Sequence, residues 1–94
     1  KAGSLTIVDS QGKLLGIFVD GDLRRYMTRD ENILNRSLGE VMTRNPITIN
    51  DNALAAEALK IFNEHNIDDL VVIDSQGKPV GLVDAQDLPK MKLV

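Results

Sequence analysis

The chain repeats itself, and that narrows its possible folds more than any other feature. Residues 5–27, LTIVDSQGKLLGIFVDGDLRRYM, align without gaps on residues 70–92, LVVIDSQGKPVGLVDAQDLPKMK, 65 positions later. Leu5, Asp9, Ser10, Gln11, Gly12, Lys13, Gly16, Asp22 and Leu23 are identical in the two copies, nine of 23 positions, and most other apolar positions stay apolar. Two copies of one supersecondary unit follow. Each reads as strand, tight turn, strand, helix. LTIVD and LVVID are β-branched runs, DSQGK supplies turn residues with a glycine free to go left-handed, and LLGIFV and PVGLV return as second strands. The runs are continuous rather than alternating, which predicts strands buried on both faces under covering helices.

The stretch between the copies adds a helix and a strand. Residues 37–42 predict a short helix and residues 46–49 a short strand. Leu54, Ala58, Ile61 and Phe62 fall at the spacing of one buried helix face, after the cap-rich Asn50-Asp51-Asn52 and before Asn66, a left-handed stop. The second copy is then complete as strand, helix, strand, strand, helix, whereas the first lacks the strand and helix that would precede Leu5. The expected class is α/β (α+β), two β-α-β-β-α repeats with the first truncated at its N-terminus. Residues 1–36 form the first motif and residues 37–94 the second.

Composition excludes several chemistries. Ninety-four residues, 43% hydrophobic and 3% aromatic, suit one compact unit with an aliphatic core. Such a chain buries roughly 60% of its unfolded surface, so association would add stability. A net charge of −3 without a basic patch argues against nucleic acid and anionic membrane. With no cysteine there are no disulfides, thiolate metal sites or cysteine nucleophiles, and the single His65 leaves little scope for a zinc site or a histidine-based triad. No stretch approaches the roughly 20 apolar residues of a membrane span and no signal peptide is recognisable, so the chain reads as soluble and cytoplasmic.

Gly16-Ile17-Phe18 followed by Asp22-Leu23, and Gly81-Leu82-Val83 followed by Asp87-Leu88, resemble the signature of the CBS domain, which occurs as tandem pairs. The linker EVMTRNPITI is similar to that family's entry into a second motif. The run GIFVDGDLRR further resembles the CBS pair that follows the sugar isomerase domain in arabinose-5-phosphate isomerases of the KpsF/GutQ type. That resemblance implies a parent enzyme on the route to Kdo, an attached isomerase domain upstream, and a homodimer through the CBS pairs. For this chain it implies a regulatory module with no cofactor of its own, sensing an adenine or cytidine nucleotide or CMP-Kdo. The alternative is a ligand-free pair that only holds its parent together as a dimer. An enzyme in its own right is disfavoured, because no nucleophile, base and orienting group assemble.

The resemblance also nominates site residues. In the family the signature Asp takes the hydroxyls of a ribose and the preceding Thr or Ser touches phosphate, which gives Asp22 and Asp87 the first role. The plain alternative for both is stabilisation of a helix N-terminus, about 0.3–1 kcal/mol each. Val19 stands at the Thr position of the first copy and can neither cap nor bind phosphate. Asp84 stands there in the second, and with Asp68 and Asp69 it makes that half acidic. Arg24 and Arg25 are either a solvated helix face or anion ligands, and Thr43 and Ile47 lie on the linker strand with which the family holds a base. Asp20-Gly21-Asp22 matches neither a phosphatase aspartate pair, for which the chain has no room, nor a calcium loop, whose ligand alternation is missing. His65 reads as a polar residue near a helix C-terminus.

Overall fold

The structure, a computed structural model, describes residues 3–85. In place of the one unit that the length suggested, it forms two compact units that divide between Pro46 and Ile47, since each repeat closes a three-stranded sheet of its own. Residues 37–46, which the sequence reads as the opening of the second motif, side with the first unit.

In the first unit, β1 (Ser4–Val8) and β2 (Leu14–Val19) form an antiparallel hairpin, followed by α1 (Asp20–Arg29), a 3-10 turn at Ile33–Asn35, α2 (Leu38–Val41) and β3 (Thr43–Arg44). The sheet order is β1-β2-β3. In the second unit, β4 (Thr48–Asn50) runs parallel to β5 (Asp69–Ile73), with α3 (Ala55–Glu64) between them in sequence, and β6 (Pro79–Asp84) pairs antiparallel with β5. The helix expected after Asp84 lies outside the described residues.

The sequence repeat becomes a structural one, residue by residue. Leu5 pairs with Phe18 and Ile7 with Gly16; 65 positions on, Leu70 pairs with Val83 and Val72 with Gly81, and the register slips at the equivalent step in both. The turns show why. Asp9 Oδ1 accepts the backbone N–H groups of Gln11 and Lys13 at 2.8 and 3.0 Å, and Asp74 Oδ1 accepts those of Gln76 and Lys78 at the same distances. Gly12 (φ 84) and Gly77 (φ 80) take the left-handed conformation that closes each loop.

Burial departs from expectation at the sheet edges. Central strands β2 and β5 do carry buried residues: Ile17, Phe18, Leu70 and Val71. Phe18, Ile33 and Val41 form a core joined by Ile7, Leu23 and Tyr26. Edge strands β1 and β6 are not covered on both faces, and Leu5 is 54% and Val80 57% exposed. A strand with one neighbour shares its flank with solvent, and a β-branched run reads alike at an edge and at a centre.

The helix ends also differ. Ser37 caps α2 as a reciprocal box with Glu40, in which Glu40 Oε1 accepts the Ser37 N–H at 2.9 Å and Ser37 Oγ the Glu40 N–H at 3.3 Å. The cap of α3 is Leu54, which offers no side-chain acceptor, while Asn50 to Asn52 lie in a turn closed by the Ala53 N–H on Asn50 O. Leu54 therefore stays outside the face that Ala58, Ile61 and Phe62 turn inward. Helix α3 stops on extended His65 (φ −127) instead of a left-handed Asn66, and the left-handed non-glycine residue among the described ones is Asn45 (φ 51).

Strand β3 carries Thr43 but not Ile47, so the linker strand expected to hold both is divided between the two units. Strand β3 reaches β2 because Gly16 has no side chain: a Cβ there would lie 2.5 Å from Met42 Sδ and 2.7 Å from Thr43 O. This close approach sets Met42 and Thr43 beside α1.

Candidate functional site

Helix α1 starts without a side-chain cap, because Val19 at the cap position has no acceptor. Asp22, three residues in, supplies the link instead. Its Oδ2 accepts the Val19 N–H at 3.0 Å, and its Oδ1 accepts from the Arg25 guanidinium. With 6% exposure it is the buried charged side chain among the described residues, and both its oxygens are engaged within its own helix turn.

Asp22, Arg25, Tyr26 and Arg29 follow the i, i+3, i+4, i+7 spacing of one helix stripe. They form one wall of a hollow of about 160 Å³, and Val41, Met42 and Thr43 form the other. The hollow thus lies wholly in the first unit. It holds one carboxylate and two guanidinium groups, so its balance is positive, and Tyr26 and Thr43 add hydroxyls. Such a set can orient an anion or a polyhydroxyl group by charge-assisted hydrogen bonds.

Of the residues nominated from the sequence, Asp22, Arg25 and Thr43 come together here. Arg24 projects from a different sector of α1 and pairs with Asp20 at 3.6 Å, both side chains well exposed. Such an (i, i+4) pair contributes about 0.3–0.5 kcal/mol. Ile47 belongs to the second unit, half-buried just before β4. Asp87 lies outside the described residues. Tyr26 and Arg29 line the hollow without any motif to nominate them, and Met42, within the EVMTRNPITI run, lines it without having been nominated. The helical period counted from Asp22 reaches the first two, while Met42 is placed by β3.

The equivalent corner of the second unit has the opposite character. Asp69 and Asp84 are cross-strand partners there, at the positions of Ser4 and Val19 in the first unit. Carboxylates held below their usual pKa lie away from the hollow. Asp30 is the nearest in sequence, lowered by the backbone N–H of Asn32 and then by Arg36, a pairing that fixes the chain after α1. Among the described residues no cluster of three acids or histidines could hold a metal ion, and no helix is long and apolar enough to cross a membrane.

Comparison with known proteins adds independent findings. The CBS domain family model matches residues 38–90. The chain is 43% identical over 86 residues to the arabinose 5-phosphate isomerase KdsD of Pseudomonas aeruginosa, an alignment covering 92% of this chain and 26% of that protein. It is 33% identical over 81 residues to the arabinose 5-phosphate isomerase KpsF of Escherichia coli, covering 86% of this chain and 25% of that one. It therefore spans about a quarter of the length of these relatives. Among solved structures, the CBS domain pair of protein MJ0100 in complex with 5'-methylthioadenosine and S-adenosyl-L-methionine superposes with a TM-score of 0.80 at 28% identity, over 95% of this chain and 68% of that one.

Proposed function

This chain belongs to the CBS domain family, and from that premise we propose that it is a regulatory module that binds a nucleotide or nucleotide-sugar effector in the hollow beside α1. Its parent is an arabinose-5-phosphate isomerase, a cytoplasmic enzyme whose catalytic domain lies outside the chain. The observation that carries the reading is the stripe of Asp22, Arg25, Tyr26 and Arg29 facing Thr43 across that hollow. The relatives support the parent, and the nucleoside-bound CBS pair supports the ligand class. Asp87, the counterpart of Asp22, and Ile47, on the linker, are the contacts proposed for the second repeat, while Arg24, turned to Asp20, is not among those of the first. Regulation requires that the effector prefer one of two arrangements of the parent, because a ligand shifts an equilibrium only by its differential affinity.

Calorimetric titration of the chain with AMP, CMP and CMP-Kdo tests the reading. Saturable binding of one of them, weakened by substitution at Arg25, is the expected result. Heats no larger than dilution for all three would overturn it.

A second reading, a structural pair that joins two parent chains, is favoured by Leu5 and Val8 on β1 and Val80 and Leu82 on β6, all more than 40% exposed. Sedimentation of the chain separates the two. A dimer that dissociates on Leu5→Lys, with no ligand bound, is the signature of the second.

A further inference from the structure

The hollow carries positive charge that its own side chains do not cancel. Arg25 and Arg29 stand one helical turn apart on α1 and both line it. Its one acid, Asp22, is already engaged by Arg25 and by the Val19 N–H. Arg29 has no anionic partner among the described residues. Two guanidinium groups at (i, i+4) spacing repel each other. An anion between them removes that repulsion and meets their fork geometry bidentately. The site of Arg29, in the last turn of α1, favours a cation on its own account, so the helix tolerates the pair when empty.

The second copy has Lys90 and Val94 at the positions of Arg25 and Arg29, and Asp69 and Asp84 where the first has Ser4 and Val19, so the double-arginine arrangement belongs to the first copy alone. The hollow, about 160 Å³, falls short of the roughly 300 Å³ or more of pockets that enclose a whole small molecule. That is room for the charged end of a ligand rather than for a whole nucleotide.

From this geometry we infer that the hollow is a phosphate-group site in which Arg25 and Arg29 clamp a phosphate monoester or diphosphate, and in which Asp22 is a positioning residue that holds Arg25 rather than a contact for ligand hydroxyls. The inference rests on the hollow being the effector site and deepens that reading: the site recognises the charged end of the effector, and the rest of the molecule lies beyond its rim.

Titration of the full 94-residue chain at low salt with inorganic pyrophosphate, AMP and adenosine, followed by NMR of the backbone amides, tests it. AMP and pyrophosphate are expected to shift the amides of Tyr26, Arg29 and Thr43 saturably, with adenosine at least tenfold weaker. Arg29→Gln is expected to weaken both anions about tenfold, as loss of one charge-assisted contact predicts, and Arg24→Gln by less than twofold. Asp22→Asn, which keeps an acceptor for the Val19 N–H, should leave adenosine unmoved. Equal losses in Arg24→Gln and Arg29→Gln would overturn the clamp. Adenosine binding as tightly as AMP would also overturn it while leaving the hollow a ligand site. Pyrophosphate binding that depends on Arg29 without any nucleotide binding would uphold the clamp and remove the nucleotide reading.

Discussion

Asp22 ties down the start of α1 from inside the helix, and Val19 cannot return the bond. The carboxylate takes the Val19 N–H at 3.0 Å, whereas the valine side chain has nothing to offer the N–H of Asp22. Only one half of a capping box is present. Val19→Thr would supply the other half at nearly constant volume, and is expected to stabilise the chain by about 0.5–1 kcal/mol in urea unfolding. Asp22→Ala should cost about 1–3 kcal/mol, since it strands a part-buried N–H and releases Arg25. Asp22→Asn should cost clearly less than Asp22→Ala, because its amide oxygen still accepts. Equal losses for Ala and Asn would mean that the charge, and not the acceptor, fixes the corner.

The two repeat glycines have different reasons to exist. At Gly16 an added Cβ meets Met42 and the Thr43 carbonyl inside contact distance, while at Gly81 it meets only Val72 at 3.7 Å. Gly16→Ala is expected to cost about 1–3 kcal/mol through overpacking against backbone, and Gly81→Ala to stay within about 0.5 kcal/mol. Denaturation midpoints of the two variants provide the check. Gly16→Ala should also perturb Thr43, and hence the proposed ligand binding in the hollow, at temperatures where the fold survives.

These cases show what the sequence made legible. The hairpins could be read because the shared DSQGK imposes the same carboxylate-closed turn twice, and register follows from the turn. Asp22, Arg25 and Thr43 could be read from the motif. Arg29 and Tyr26 could not, because the motif ends before them and only the helical period carries the stripe onward. Arg24 differs from Arg25 by one residue of helix rotation, about 100° of arc, which sends it to Asp20 and away from the hollow. Strand β3 spans two residues, too few for any period to show. The exposure of β1 and β6 depends on strand order, which the hydrophobic runs do not encode.

The same turns give the chain a defined acid limb. Asp9 and Asp74 are held below the usual carboxylate value near 3.8, chiefly by the backbone N–H groups of Lys13 and Lys78 and then by those of Gln11 and Gln76. A carboxylate whose folded pKa is lowered contributes stability above its unfolded pKa and loses it as pH falls through the folded one. Stability from these turns should therefore be constant near neutrality and decline below about pH 4. In Asp9→Asn/Asp74→Asn the amide oxygens keep the turn acceptors but do not titrate. Thermal unfolding between neutral pH and roughly pH 2.5 should show a shallower decline for the double variant, and an unchanged slope would count against this assignment.

Helix α3 lacks what α2 has. Its cap position is Leu54, 69% exposed, and three residues on stands Glu57, the spacing at which Glu40 completes the box of Ser37. Leu54→Ser would place a hydroxyl within reach of the Glu57 N–H, which now meets only the Leu54 carbonyl, and the Glu57 carboxylate could in turn accept the backbone N–H of position 54. The removed side chain gives up little buried area in the isolated chain, so the cap should dominate with a gain of about 0.5–2 kcal/mol in urea unfolding. The sign of the effect is informative in the proposed parent enzyme as well. If Leu54→Ser stabilises the isolated chain but weakens the assembled parent, measured by melting temperature and sedimentation, then the leucine is kept at the cap for a surface that covers it in the assembly. A gain in both would identify it as an uncapped helix end that tolerates optimisation.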